Sequence, residues 1–227
     1  MENNLIQSYG RKQGRTLKKW QKTLKDECLS NFSITPQENI NPQELFADNM
    51  NEYWLEIGFG SGEHIAHKAM LNQSVGMIAS EVYINGVLSL VGKIEKNAIQ
   101  NIRIFQEDAR LLLQSLPKKS VAKVFVLFPD PWPKRRQYKK RLLQNDFLDL
   151  IAKILPKNGE LLIATDHADY LEHIIKVMIS RRDFIWTAKS KADWLDEPKD
   201  WTQTRYQQKA IAEGRHSTFL HFKRTEK

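Results

Sequence analysis

Short apolar runs alternate with longer amphipathic stretches along most of this chain. The run from Val124 to Phe128 is continuously apolar, which is typical of a strand buried on both faces of a parallel sheet. The stretch from Ile84 to Asn97 instead carries its apolar residues at helical spacing. The pattern predicts strands at 53–57, 75–80, 101–106, 124–128, 160–164, 184–188 and 218–222, with helices between them, including 145–155 and 168–180.

This alternation predicts the fold class. Strands that alternate with helices form a parallel sheet covered on both faces, so we expect an α/β, doubly wound sheet. The last two strands follow one another without a long helix of the same kind, and we expect an antiparallel edge there.

The first 50 residues have a different character from the rest. Gly10 and Gly14 favour an irregular arm, and residues 30–50 contain prolines and several asparagines, as a linker does. We therefore predict a basic N-terminal arm and linker at 1–50 and one globular domain at 51–227.

The formal net charge is +8, but the positive charge is concentrated in two segments. Residues 1–25 carry a net charge of +6, and residues 133–141 carry six Lys or Arg and no acid, so the remainder is net −4. Two basic patches on a mildly acidic chain favour a polyanionic partner such as RNA. An arm that orders on RNA would place Arg11, Lys12 and Arg15 at phosphates, and the alternative is a disordered basic tail.

Other compositional features exclude several classes of protein. Cys28 is the single cysteine, so no disulfide framework is expected, and the histidines form no metal-ligand constellation. No stretch approaches the roughly 18 apolar residues of a membrane span, and the first residues lack a signal-peptide core. We expect a cytoplasmic protein without a metal, either a monomer or a homodimer.

A glycine-rich turn follows the first strand. The sequence E-I-G-F-G-S-G, from Glu56 to Gly62, lies between a predicted strand and a predicted helix, which is the nucleotide-binding βα arrangement. Gly58, Gly60 and Gly62 would let a ligand approach the backbone. No Lys-Ser or Lys-Thr follows, which argues against a phosphate-binding P-loop. A carboxylate at Glu56 would repel a pyrophosphate and suit a cationic ligand that carries an amino group and a sulfonium.

Acids also follow the next strands. Glu81 lies at about the spacing from Gly60 at which an acid binds ribose hydroxyls. Asp108 could face an adenine amino group or cap the following helix, and the two roles are compatible. Asp166 either caps the next helix or faces a substrate.

The segment 121–141 combines several of these features. The buried strand ends at Pro129, Asp130 follows it, and Trp132 lies between two further prolines. An acid and an indole would thus lie at the carboxyl edge of the sheet, where open α/β sheets bind ligands. The alternative is a proline-rich turn before a solvated helix start. The basic residues that follow are Lys134, Arg135, Arg136, Lys139, Lys140 and Arg141.

Together these features fit an S-adenosylmethionine-dependent enzyme that acts on nucleic acid, and the chain resembles the bacterial tRNA (guanine-N7-)-methyltransferases. The resemblance includes R-K-Q-G-R, E-I-G-F-G-S-G, S-E-V-Y, E-D-A, F-P-D-P-W-P-K-R-R, A-T-D, T-R-Y and A-E-G-R. It implies a Rossmann-like methyltransferase fold with an antiparallel last strand, S-adenosylmethionine as cofactor, and methylation of N7 of a guanine in the variable loop of tRNA.

The resemblance also implies roles for individual residues, with Asp130 as the catalytic acid residue. The residues implied to bind the cofactor are Glu56, Gly58, Gly60, Gly62, Glu81, Asp108, Ala109 and Asp130. The residues implied to contact the substrate are Lys134, Asp166, Thr204, Arg205, Tyr206 and Gln207.

Two positions depart from the family pattern. Gln137 stands where His is usual, and Gln207 stands where Glu is usual. A Glu at position 207 would accept two hydrogen bonds from a guanine, whereas Gln presents one acceptor beside a donor. Gln207 favours one alternative, a non-catalytic tRNA-binding module on a degenerate methyltransferase fold. The glycine turn and the ribose-binding acid would also serve a nicotinamide-dependent oxidoreductase, and the third alternative is methylation of another substrate.

Overall fold

A computed structural model describes residues 10, 12, 14, 16–47 and 50–226 of the chain. The strands in this part are β1 (Glu52–Ile57), β2 (Val75–Ser80), β3 (Ile102–Phe105), β4 (Lys123–Leu127), β5 (Glu160–Thr165), β6 (Phe184–Trp186) and β7 (Thr218–Arg224). The α-helices are α1 (Lys19–Thr23), α2 (Leu29–Phe32), α3 (Glu63–Leu71), α4 (Ile84–Asn97), α5 (Ala109–Ser115), α6 (Asn145–Ile154), α7 (Ala168–Ile179), α8 (Ala192–Leu195) and α9 (Arg205–Ala212).

Three shorter helical segments complete the description. A π-helical turn, Leu24–Cys28, joins α1 to α2. Two 3₁₀ segments, Pro42–Glu44 and Arg135–Lys140, precede β1 and follow the proline-rich loop after β4.

The strands form one mixed sheet in the order β3-β2-β1-β4-β5-β7-β6. Neighbouring strands among β1 to β5 pair in parallel, and β7 runs antiparallel between β5 and β6. The predicted fold class is confirmed. The strand order reverses between β1 and β4, and ligands of such sheets bind outside the carboxyl ends of the strands at this point.

Side chains alternate between the two faces of the sheet along β1. Leu55 and Ile57 join the core that α5, α6 and α7 cover. Trp54 packs on the other face, against the buried apolar side chains of α3 and α4 and against a smaller apolar cluster that contains Phe125. Each strand in the middle of the sheet is therefore covered on both faces, which explains the continuous apolar runs in the sequence.

The segment predicted as a linker packs on the domain. Ile34, Ile40 and Phe46 are buried in the same core as β1. Ser33 forms a parallel bridge with Ile104 at the outer edge of β3. The prolines and asparagines that suggested a linker lie in irregular backbone, and the apolar residues between them pack this segment against the core.

In the described part of the chain, no helix combines the length and apolar character needed to cross a membrane.

Candidate active site

A cavity of about 420 Å³ opens at the carboxyl edge of the parallel strands, where the sheet order reverses. Its size falls within the usual range for small-molecule sites. The predicted site residues that line it are Gly58, Gly60, Glu81, Asp108, Ala109, Asp130 and Tyr206. Residues from the ends of β1, β2, β3 and β4 therefore meet at one place.

Glu81 lies directly after β2, and its carboxylate holds the glycine turn in place. One oxygen accepts hydrogen bonds from the backbone N–H groups of Val82 and Tyr83, at 2.8 and 2.9 Å. The other accepts from the N–H of Gly60 at 3.0 Å. Burial raises the pKa of the Glu81 carboxyl, against the effect of these hydrogen bonds. A carboxylate has about four acceptor positions, so Glu81 can still accept one bond from a ligand.

Asp108 caps α5, as predicted. Its side chain accepts a hydrogen bond from the backbone N–H of Arg110 at 2.9 Å, which satisfies one of the free donors of the first helical turn. The Arg110 guanidinium also pairs with it at 3.1 Å. Asp108 therefore both caps α5 and lines the cavity, and Ala109 lines the cavity next to it.

The loop that carries Asp130 has an unusual backbone. Phe128 and Trp132 have φ angles of 51° and 43°, values that bulky residues rarely adopt, and each precedes a proline. Such a backbone costs on the order of 1–3 kcal/mol per residue and persists only where surrounding contacts enforce it. The two strained residues flank Asp130 and turn its carboxylate toward the cavity.

The Asp130 carboxylate receives no hydrogen bond from any residue that the structure describes. Desolvation by the surrounding cavity residues raises its pKa above the ordinary value. Trp132 and Lys140 line the cavity beside it, with the Lys140 ammonium 4.8 Å from the centre of the Trp132 ring. Asp130 is thus an acid in this cavity that is open to a ligand.

Arg141 belongs to this loop and not to the exposed basic surface. Its side chain is 1% exposed, it donates to the carbonyl oxygen of Pro131 at 2.9 Å, and it pairs with Asp169 at the start of α7. Tyr138 and Tyr170 pack against the guanidinium. The prediction that Arg141 contributes to a phosphate-binding patch is therefore wrong. The sequence of a basic segment does not indicate which of its residues will be buried in the fold.

Glu56 lies beside the cavity but does not line it. Its side chain is 2% exposed, and its carboxylate is 2.7 Å from Nδ1 of His64 on α3. Side chains alternate along a strand, and Ile57, not Glu56, reaches the cavity. The Glu56–His64 contact joins the end of β1 to α3, the two elements that the glycine turn connects.

Gly62 also lies off the cavity. Its φ is 78°, and a Cβ built there would come within 2.8 Å of Leu90 on α4. Close packing of α3 against α4 therefore requires this glycine, whereas Gly58 and Gly60 line the cavity.

The residues predicted to contact the substrate do not lie together. Tyr206 lines the cavity, and a Cβ at Gly60 would lie 3.0 Å from its ring. Lys134 and Arg205 are exposed outside the cavity. Asp166 forms an ion pair with Arg215 at 2.7 Å.

The other two predicted substrate residues are inside the protein. Thr204 caps α9 and accepts the backbone N–H of Gln207 at 3.2 Å. The Gln207 side chain is 2% exposed and lies between Trp201 and Glu197. Neither residue lines the cavity.

The N-terminal arm reaches the cavity mouth. Gly10 lines the cavity, the carbonyl of Lys12 accepts the N–H of Ile84 at 3.2 Å, and the Lys12 ammonium is 3.8 Å from Glu107. Arg11 and Arg15, which were predicted at phosphates, lie outside the described residues.

Sequence reasoning missed several residues that line the cavity, among them Tyr83 and Arg110. Each follows a predicted acid within two positions, at Glu81 and Asp108. The ends of the strands were therefore the right places to search. Extending the search two positions beyond each acid would have found both residues. Within the described residues, no group of three His, Cys, Asp or Glu side chains could hold a metal ion.

Comparisons with known proteins agree with this geometry. A family model described as "Putative methyltransferase" matches residues 50–220. A tRNA (guanine-N(7)-)-methyltransferase of Ruegeria pomeroyi is 41% identical over 224 residues, which cover 96% of this chain and 94% of that protein. A protein of the same name from Rhodospirillum rubrum is 38% identical, with 95% and 87% covered.

Solved structures are similar in fold at much lower identity. The 16S rRNA methyltransferase KamB has a TM-score of 0.57 at 14% identity, with 84% of this chain and 96% of that chain covered. An rRNA methylase from Streptococcus thermophilus has a TM-score of 0.53 at 13% identity, with 82% and 92% covered. The sheet order, the cavity at its switch point and the similarity over nearly the whole length lead to one conclusion. The chain belongs to the tRNA (guanine-N(7)-)-methyltransferase family.

Proposed function

We propose that this protein transfers a methyl group from S-adenosylmethionine to N7 of a guanine in the variable loop of tRNA. The observation that carries the proposal is the meeting of Glu81, Asp108 and Asp130 with the glycine turn at one cavity. The exposed basic residues begin four positions after Asp130, which supports a polyanionic substrate beside that cavity.

The chemistry of the cavity fits the cofactor. The backbone at Gly58 and Gly60 leaves room for a ligand, and Glu81 has capacity to accept one hydrogen bond from a ribose hydroxyl. Asp108 and Ala109, which line the cavity after β3, would hold the adenine of the cofactor. A cavity with acids at three strand ends suits a ligand with a net positive charge.

The chain's own residues have limited chemistry to perform. When bound, S-adenosylmethionine supplies an electrophilic methyl group on a sulfonium. Guanine N7 carries an in-plane lone pair and no proton, so the protein needs no strong general base. Its tasks are to align the reacting atoms and to exclude water.

Asp130 is the residue best suited to the reacting centre. Its carboxylate faces the cavity and is not held by another described residue, so it can accept a bond from the base or from the amino group of the cofactor. Methylation leaves positive charge on the imidazole ring of the guanine, and a carboxylate nearby stabilises that charge. The strained loop around Asp130 supports this role, since it orients the carboxylate before any ligand binds.

The competing proposal is a non-catalytic tRNA-binding module. The open Asp130 carboxylate and the cavity at the glycine turn favour an enzyme, because a module that only binds RNA needs neither. We further propose that the protein acts in the cytoplasm, as a monomer or homodimer, without a metal ion.

The direct test is methyl transfer from labelled S-adenosylmethionine to unmodified tRNA, with the modified nucleoside identified and its position mapped. The expected product is N7-methylguanosine in the variable loop. Label in another nucleoside would overturn the substrate assignment. Binding of tRNA and S-adenosylhomocysteine without any transfer would support the non-catalytic module.

A further inference from the structure

The side chain of Gln207 is buried, and neighbouring residues use both of its polar groups. Its carbonyl oxygen accepts a hydrogen bond from the indole N–H of Trp201 at 2.7 Å. Its amide nitrogen donates to the Glu197 carboxylate at 2.8 Å. The same Glu197 oxygen accepts a second bond from the exposed Gln203 at 3.0 Å.

The chemistry of the two neighbours determines which residue fits at position 207. An indole N–H can only donate, and an ionised carboxylate can only accept. A primary amide satisfies both at once, and the partners also fix which way the amide is oriented. A Glu at this position would still accept from Trp201, but its second oxygen would lie against the carboxylate of Glu197. Position 207 is buried whereas Glu197 is exposed, so the cost falls on an ionised Glu at position 207, which would lose its hydration beside a like charge.

This contact connects a segment outside the candidate active site to the helix that carries Tyr206. Glu197 lies in the irregular segment after α8, and Gln207 lies in the first turn of α9. Tyr206 precedes Gln207 and lines the cavity against Gly60. The contact between Glu197 and Gln207 therefore restrains the first turn of α9, from which Tyr206 reaches the cavity.

We propose that Gln207 is a positioning residue matched to Glu197, which holds Tyr206 at the cofactor cavity and does not contact the guanine. The departure from the usual Glu is then compensated within this chain by a carboxylate at Glu197. The effect on methyl transfer rests on the proposed function, whereas the pairing itself does not.

The test is a set of four proteins: the native chain, Gln207→Glu, Glu197→Gln, and the double variant that exchanges the two groups. Gln208→Glu is the matched control, since it makes the same substitution on the same helix at an exposed position. Each protein is examined for Tm, for binding of S-adenosylhomocysteine by calorimetry, and for kcat and KM of methyl transfer to tRNA.

We expect Gln207→Glu to lower kcat/KM at pH 8 by about tenfold to a hundredfold and to lower the Tm, because two carboxylates then face each other. Protonation of one carboxylate would remove the repulsion, so both losses should shrink as pH falls. The double variant should restore both quantities and remove this pH dependence, because it again pairs one amide with one carboxylate. Glu197→Gln should be mild, since two amides can still form a hydrogen bond.

Native-like or higher activity of Gln207→Glu with Glu197 intact would overturn the proposal and indicate a direct contact with the base. A double variant no better than Gln207→Glu would overturn it as well. If the native protein methylates no tRNA, the proposed function fails, and the Tm and S-adenosylhomocysteine measurements still decide whether the two residues are paired.

Discussion

Asp130 differs from the other acids of the site in what surrounds its carboxylate. Glu81 accepts three backbone hydrogen bonds, Asp108 caps a helix, and Glu56 contacts His64. Glu81 and Asp108 line the cavity as well, but all three of these side chains hold the local structure, whereas the Asp130 carboxylate accepts no hydrogen bond from a described residue. A carboxylate with unused acceptor capacity at a ligand site is the one expected to act on that ligand.

Replacing Asp130 with Asn should lower kcat by orders of magnitude and leave the Kd for tRNA nearly unchanged. The amide keeps the size of the side chain and removes its charge, so the substitution isolates the electrostatic contribution. Single-turnover methyl transfer and a tRNA binding titration measure the two quantities. Near-native turnover of Asp130→Asn would exclude the role proposed for this carboxylate.

The pH profile gives a second measurement on the same residue. Desolvation raises the pKa of Asp130, and the ionised form is the active one, so kcat/KM should increase as pH rises through that pKa and then level off. The Asp130→Asn variant should lose this acidic limb. A limb that persists in the variant would belong to another group.

At the scale of elements, the Asp130 loop and the helix α7 are joined through one buried guanidinium. Arg141 donates to the carbonyl of Pro131 and pairs with Asp169, while Tyr138 also donates to Asp169 at 2.9 Å. This contact supplies part of what enforces the strained backbone around Asp130. The loop is therefore held in position by the fold as well as by its own prolines.

Replacing Arg141 with Met should lower the Tm by several degrees and reduce kcat, while leaving the salt dependence of tRNA binding unchanged. The methionine keeps apolar bulk but cannot donate to Pro131 or Asp169. Lys139→Met is the matched control, since Lys139 is exposed on the same segment and should affect the salt dependence but not the Tm. A reduced salt slope in Arg141→Met would mean that Arg141 reaches the RNA.

A second contact joins strands β4, β5 and β7. Glu160 accepts from His221 at 3.3 Å and pairs with Lys123 at 2.7 Å, and these contacts lower its pKa to about 2. A carboxyl with a lowered folded-state pKa stabilises the fold above its unfolded pKa and loses that contribution as pH falls through the folded one.

Glu160→Gln should therefore lower the Tm by a few degrees at pH 7, and the difference from the native protein should narrow between about pH 5 and pH 2. Thermal unfolding across this range measures it. Glu38→Gln is the control at an exposed position, for which no such narrowing is expected. A difference that stays constant with pH would show that the ionised carboxylate is not what stabilises the strands.

At the scale of the whole molecule, exposed basic residues from two parts of the chain lie beside the candidate active site. The exposed basic residues after the proline-rich loop extend from the carboxyl edge of β4, next to the cavity. Lys12 of the N-terminal arm lies at the mouth of the same cavity. This arrangement can hold a polyanion across the site while one of its bases enters the cavity.

Neutralising Arg135 and Arg136 together should weaken tRNA binding and reduce the slope of log Kd against log salt by about 1 for each phosphate that the protein no longer neutralises. Lys157→Gln is the control, because this exposed lysine lies before β5 at the opposite edge of the sheet. An unchanged slope in the double variant would place the bound RNA elsewhere on the protein.

The sequence by itself determined the fold class, the ends of the strands where the acids would cluster, and the family. These features depend on local periodicity and on contiguous motifs, and both involve residues that are close in sequence. The cap at Asp108 was predictable for the same reason, since a helix cap involves only residues within one turn.

Only the tertiary structure decided which member of each motif reaches the cavity. Glu56 contacts His64, Arg141 is buried against Asp169, and Gln207 pairs with Glu197, in each case across a turn or between separate elements. Such contacts depend on the face of the sheet to which a side chain points and on residues distant in sequence. A motif specifies the residue type at a position, whereas packing determines which partner that residue meets.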